Sequence, residues 1–187
     1  MRARLDAIRP VFMLGEVQQS SYHRAAFDAS YGWDWHVASK RIARGEANAT
    51  GLFGYYAEHQ SLWPREAMRL TYVENHDSNA WEGTIYENYG PALDAMTVLS
   101  FVHEGLPMIH NGQEACNADR LEFFEREPIV WNQNPDCRYG ALLADLIAQV
   151  PGSQIVLPLN AVTALIGAPV VVWVILRQRN LRETFAG

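Results

Sequence analysis

Three carboxylates in this chain stand where a short apolar run gives way to polar residues. Glu16 follows Val11-Phe12-Met13-Leu14-Gly15, Asp77 follows the run Leu70 to Val73, and Glu114 follows Met108-Ile109. A carboxylate set beside buried apolar chain is costly unless it has a partner or a task. Around Asp77 the polar residues are packed tightest, Glu74-Asn75-His76-Asp77, so an imidazole stands next to the acid. Buried strands deliver reactive groups in this way to the C-terminal rim of a parallel α/β barrel. A surface turn has a similar composition, since Asn, Asp and Ser favour turns, and taken alone the Glu16 segment reads first as a solvent-facing Glu at a strand end. Between the first two acids runs Phe27-Asp28-Ala29-Ser30-Tyr31-Gly32-Trp33-Asp34-Trp35. Rings beside carboxylates suit a sugar cleft, where the rings cover the apolar faces of sugars and the acids accept from hydroxyls. They suit core packing as well.

The elements that would carry these groups alternate. Leu5 and Ile8 suggest the end of an amphipathic helix stopped at Pro10, followed by a buried strand over Val11–Leu14. His36–Ala47 reads as a helix with Lys40, Arg41 and Arg44 on its wet side, ended by Gly45, Asn48 and Gly51. Residues 54–68 read as a second helical or loop-helix stretch, interrupted at Trp63-Pro64. The strand Leu70–Val73 comes next. Residues 89–103 then have helical apolar spacing, Gly105-Leu106-Pro107 breaks the helix, and Met108-Ile109 forms a very short strand. Strand, polar end, helix, strand is the rhythm of βα units.

Composition divides the chain. Residues 1–137 hold 19 acidic and 11 basic side chains, a net of −8, with all six His and five of the six Trp. Residues 138–187 hold 2 acidic and 4 basic, a net of +2. The acidic first part lacks the basic stripe that phosphate binding needs, which argues against nucleic acid. Cys116 and Cys137 are too few, and wrongly spaced, for a zinc site or a disulfide framework, so ordinary thiols are expected. The apolar run near the N-terminus is too short for a secretory signal, which leaves a cytoplasmic or inner-membrane location as the expectation.

Several separated motifs share one likeness. Phe12 to Glu16, Phe27 to Tyr31, Glu74 to Thr84, Gly105 to Glu114 and Phe123 to Trp131 resemble, in order and spacing, the second half of an α-amylase of glycoside hydrolase family 13. The likeness covers roughly residues 5–132. It implies an α/β fold, an incomplete (β/α)8 TIM barrel of about strands five to eight. It further implies Glu16 as the general acid/base and Asp77 as the carboxylate that holds the distorted sugar and stabilises an oxocarbenium-like transition state. His76 would bind sugar hydroxyls in the same subsite. The likeness would make Trp33, Trp35 and Trp81 further sugar contacts, leave Gln113 and Glu114 a structural role, and make the partner an α-glucan or oligosaccharide. A retaining glycosidase needs a proton-donating carboxyl and a nearby nucleophilic carboxylate. The family's nucleophile is an Asp in a Gly-x-Arg-x-Asp setting, which this sequence does not contain, so the chain is expected to be inactive alone. The family's calcium-site segments are absent too, so neither metal nor cofactor is expected.

The last part reads differently. Tyr139–Val150 is an apolar helical segment, and Ile155–Leu176 is an apolar stretch long enough to cross a bilayer. Arg177, Arg179 and Arg182 follow it, the pattern of a cytoplasmic C-terminus. Residues 139–182 resemble the C-terminal end of the permease subunit of iron-siderophore and vitamin B12 ABC importers. The expected organisation is therefore a partial barrel over 1–137 and a hydrophobic helical, membrane-associating tail over 138–187. Two alternatives to a glycosidase fragment follow: a remnant of such an importer, or a fusion without function as one polypeptide.

Overall fold

The computed structural model describes residues 1–131 and 137–149. The chain divides into two units, Met1–Tyr139 and Gly140–Gly187. The first opens with α1 (Arg2–Asp6), β1 (Leu14–Gly15), α2 (Ser20–Ala25), β2 (Ala29–Tyr31) and α3 (Trp33–Ala43). It continues with α4 (Gly51–Leu62), β3 (Met68–Thr71), a π turn (Ser78–Glu82), α5 (Ile85–Tyr89), α6 (Leu93–Val102) and β4 (Leu106–Pro107). A final helix, α7 (Tyr139–Ala148), begins at the boundary of the two units.

The four strands form one parallel sheet in the order β1-β2-β3-β4. Leu14 lies opposite Ala29, Tyr31 opposite Leu70, and Leu70 opposite Leu106. Helices cross between successive strands, the arrangement parallel pairing requires. The inner strands are buried, as strands covered on both faces must be. On the helical side, Trp35 is fully buried and meets Tyr55 and His103 at ring separations of 5.9 and 4.2 Å. The Tyr89 hydroxyl, on α5, lies 3.0 Å from Ser39 Oγ and 3.1 Å from His36 Nδ1, which ties α5 to α3.

Several boundaries differ from the sequence expectation. β3 begins at Met68 and ends at Thr71, so Tyr72 and Val73 lie beyond the strand as buried residues that lead into the polar segment Glu74 to Asp77. β4 is Leu106–Pro107, in the segment read as a helix breaker, and not Met108-Ile109. Proline is tolerated there because β4 is the outer strand among the described residues, and its missing N–H costs no ladder bond on that side. Gly105 opens it at φ +147°, where an added Cβ would come within 2.8 Å of the Arg69 carbonyl oxygen. The helix of 36–47 starts three residues earlier, at Trp33, and Lys40 is not on its wet side: it is buried and paired with Glu82. Pro64 ends α4 as expected, with Trp63 already extended.

The cysteine expectation is corrected outright: Cys116 and Cys137 form a disulfide, with Cα atoms 6.3 Å apart. Cys116 sits at φ +57° in the turn after Gly112, a placement no residue spacing reveals. Among the described residues no helix is long and apolar enough to cross a membrane. The expected span, 155–176, and most of the permease-like run lie outside the described residues.

Candidate active site

Parallel strands bring their C-terminal ends to one rim, so the residues that follow β1 and β3 come together although they are distant in sequence. Glu16 follows β1 directly, and His76 and Asp77 end the polar segment after β3. Carboxylate oxygens of Glu16 and Asp77 and a ring nitrogen of His76 all lie within 4.8 Å of one another. His76 Nε2 is 3.6 Å from Asp77 Oδ1. Glu16 and His76 are exposed and Asp77 is half-buried, so a ligand can reach all three.

The segment is held from behind. Glu74 is buried, accepts from Asn79 Nδ2 at 2.8 Å and lies 3.1 Å from His110 Nδ1. Asn75 N donates to Ser78 Oγ and Ser78 N donates back to Asn75 Oδ1, at 2.9 and 2.8 Å. With Glu74 and Asn75 fixed inward, His76 and Asp77 are left on the open side. His110 is itself fixed by its N–H, which donates to Gln113 Oε1 at 2.6 Å. At the end of β2, the Tyr31 phenol is pushed above its ordinary pKa, chiefly by burial and further by the negative charges of Glu16 and Asp77. It stays neutral at ordinary pH.

The expected sugar contacts separate. Trp33 is half-buried and stacked on Tyr31, with ring centroids 5.6 Å apart. Trp81 is exposed, 5.6 Å from the ring of Phe123. Trp35 is corrected: with no exposed surface, it offers a sugar no face and serves the core beneath α3 and α4. Glu114 stays exposed, accepts from Gly112 N at 3.0 Å and closes a turn, while Gln113 is buried. Sequence reasoning did not single out Tyr31, Phe123 or the Glu74–His110 pair. The ring-rich run around Tyr31 carried a signal for the first; Phe123 sits within a motif quoted for its likeness alone.

Glu16, His76 and Asp77 are also, among the described residues, the group of three donors close enough to hold a metal ion. An imidazole with two carboxylates is a donor set that zinc accepts.

No protein-family model matches the chain, and no curated protein matches it. Among solved structures the fold is similar to a noncanonic maltogenic α-amylase from Thermotoga neapolitana, with a TM-score of 0.60 and 23% identity. That match covers 71% of this chain and 31% of the other. An α-amylase from Lactobacillus plantarum gives a TM-score of 0.59 at 21% identity, over 69% of this chain and 34% of its own. The chain spans about a third of the length of each. The likeness is one of fold: a parallel α/β sheet with helices, similar to part of an amylase barrel. Neither neighbour bears on the likeness of the tail to importer permeases.

Proposed function

We propose that this chain carries the proton-donor side of a retaining α-glucan-cleaving site. Glu16 is the general acid/base, Asp77 grips the sugar and stabilises positive charge at its ring, and His76 hydrogen-bonds a hydroxyl. The reading is carried by one observation, the meeting of Glu16, His76 and Asp77 within 4.8 Å from two separate strand ends. The partial amylase fold and the rings of Trp33 and Tyr31 beside that rim support it. The sequence holds no Gly-x-Arg-x-Asp segment, so we assign no nucleophile to it. Binding, rather than turnover, is the property this chain has of itself.

Calorimetric titration with maltotriose tests the reading. Asp77→Asn and His76→Ala should each weaken binding about tenfold, the loss expected when a charge-assisted hydrogen bond to a ligand is removed. Glu16→Gln, which keeps the shape and a hydrogen-bonding group, should bind within about threefold of the parent, a difference below 1 kcal/mol. Equal affinities in the parent, Asp77→Asn and His76→Ala would remove these residues from sugar recognition.

A further inference from the structure

The rim cluster carries charge that no cation of the described chain cancels. Elsewhere Arg2 pairs with Asp28, Lys40 with Glu82, Arg69 with Asp34 and Arg120 with Glu87. Among the described residues no Lys or Arg pairs with Glu16 or Asp77; His76 alone stands beside them. Two carboxylates with oxygens within 4.8 Å of each other repel, and together they favour a cation between them. Their joint field reaches the Tyr31 phenol, which burial first and these two charges next push above its ordinary pKa.

The donors are spaced for a small ion. Zinc sits about 2.0 Å from an imidazole nitrogen or a carboxylate oxygen in a tetrahedron, so two of its ligand atoms stand about 3.3 Å apart. His76 Nε2 and Asp77 Oδ1 are already 3.6 Å apart. Glu16 offers an oxygen within 4.8 Å of both, on an exposed side chain that a small torsional change brings closer. The His76 ring lies against Phe123, with centroids 5.6 Å apart and planes 29° from parallel, which limits the directions its nitrogens can take. Oxygen-only donor sets suit calcium and magnesium, whereas an imidazole beside carboxylates suits zinc. Both cysteines are spent on the disulfide, so no thiolate competes for the ion.

We propose that Glu16, His76 and Asp77 together bind a zinc ion, with water in the fourth position, and that the bound ion shuts the cluster to sugar. The metal site stands on the donor geometry; the exclusion of sugar rests on the proposed function, because the same three side chains would grip the ring. An imidazole nitrogen bound to zinc has neither lone pair nor proton left for a hydroxyl. Glu16 held as an ionised ligand cannot carry the proton that a leaving oxygen needs. Zinc is thereby a reversible inhibitor of the site.

Calorimetric titration of the untagged full chain with zinc chloride, and separately with calcium chloride, tests the site. The parent should take up zinc about a hundredfold more tightly than calcium. His76→Ala should lower zinc affinity about a hundredfold, and Glu16→Gln and Asp77→Asn about tenfold each. Cobalt(II) in place of zinc should develop the strong visible absorption of a four-coordinate ion, which the octahedral aqua ion lacks. Equal zinc affinity in the parent and His76→Ala, or calcium bound as tightly as zinc, overturns the metal site. With zinc at about ten times its dissociation constant, maltotriose should bind about tenfold more weakly. A triose affinity unmoved by saturating zinc overturns the exclusion and leaves the sugar reading standing. A zinc-free parent that binds no maltotriose overturns the exclusion together with the proposed function, and the zinc titrations still decide the metal site.

Discussion

His36 and His103 are held neutral by where they sit. Burial pulls both well below the ordinary imidazole value, to about 4, and for His36 the nearby Lys40 ammonium adds to the effect. His23 and His59 shift in the same direction, again chiefly through burial. An unfolded chain takes up protons on the His36 and His103 rings near pH 6.5, the folded one only near pH 4, so the stability they contribute is complete above pH 6.5 and drains away as pH falls toward 4. Melting temperatures recorded from pH 7.5 to 4.5 should therefore drop steadily. His103→Phe, which keeps a ring against Trp35 and removes one titrating group, should flatten that dependence; an unchanged slope would remove His103 from the account. At this scale the sequence was readable where chemistry and position coincide: Glu16, His76 and Asp77 follow strands and stand together. Trp35 and Lys40 were misplaced because ring and cation look alike in sequence whether they face water or a partner, and only the packing of α3 on α4 and the position of Glu82 decide between the two.

Between elements, the tightest approach is at Gly32, where the chain turns from β2 into α3. Gly32 N donates to the Leu70 carbonyl at 3.0 Å, and a Cβ added at Gly32 would stand 2.3 Å from that same oxygen. Backbone is poorly able to yield, so Gly32→Ala should cost about 3 kcal/mol, the upper range for overpacking, seen as a lower urea midpoint at unchanged slope. Asn79 joins elements in another way, bonding the Glu74 carboxylate with one end and Leu121 N with the other. Asn79→Ala should cost about 2 kcal/mol, since it strips a buried carboxylate of a donor. The order of elements could be followed in the sequence because apolar spacing and proline punctuate it. Strand limits could not, because strands of two to four residues are fixed by their neighbours' register: Leu106 and Pro107 become a strand only because Leu70 and Thr71 lie alongside.

Taken whole, the first unit is a run of parallel βα units similar to part of an amylase barrel, and separated motifs in the right order had pointed to that architecture. The disulfide had not been foreseen, since pairing depends on a turn after β4 that places Cys116 beside Cys137. With 21 residues of sequence separation, loss of this crosslink should lower unfolding free energy by about 3 kcal/mol through the freedom returned to the unfolded chain. Urea melts with and without a phosphine reductant, and of Cys137→Ser, measure it; coincident curves would mean that the bond contributes nothing to folding.

Joining Cys116 to Cys137 converts the polypeptide between them into a covalent hoop, and Phe123 and Phe124 ride on that hoop. The seat of Phe123 against His76 is thereby answerable to thiol chemistry. A preparation kept in dithiothreitol should be cut by proteases between Asn117 and Trp131 sooner than the oxidised one.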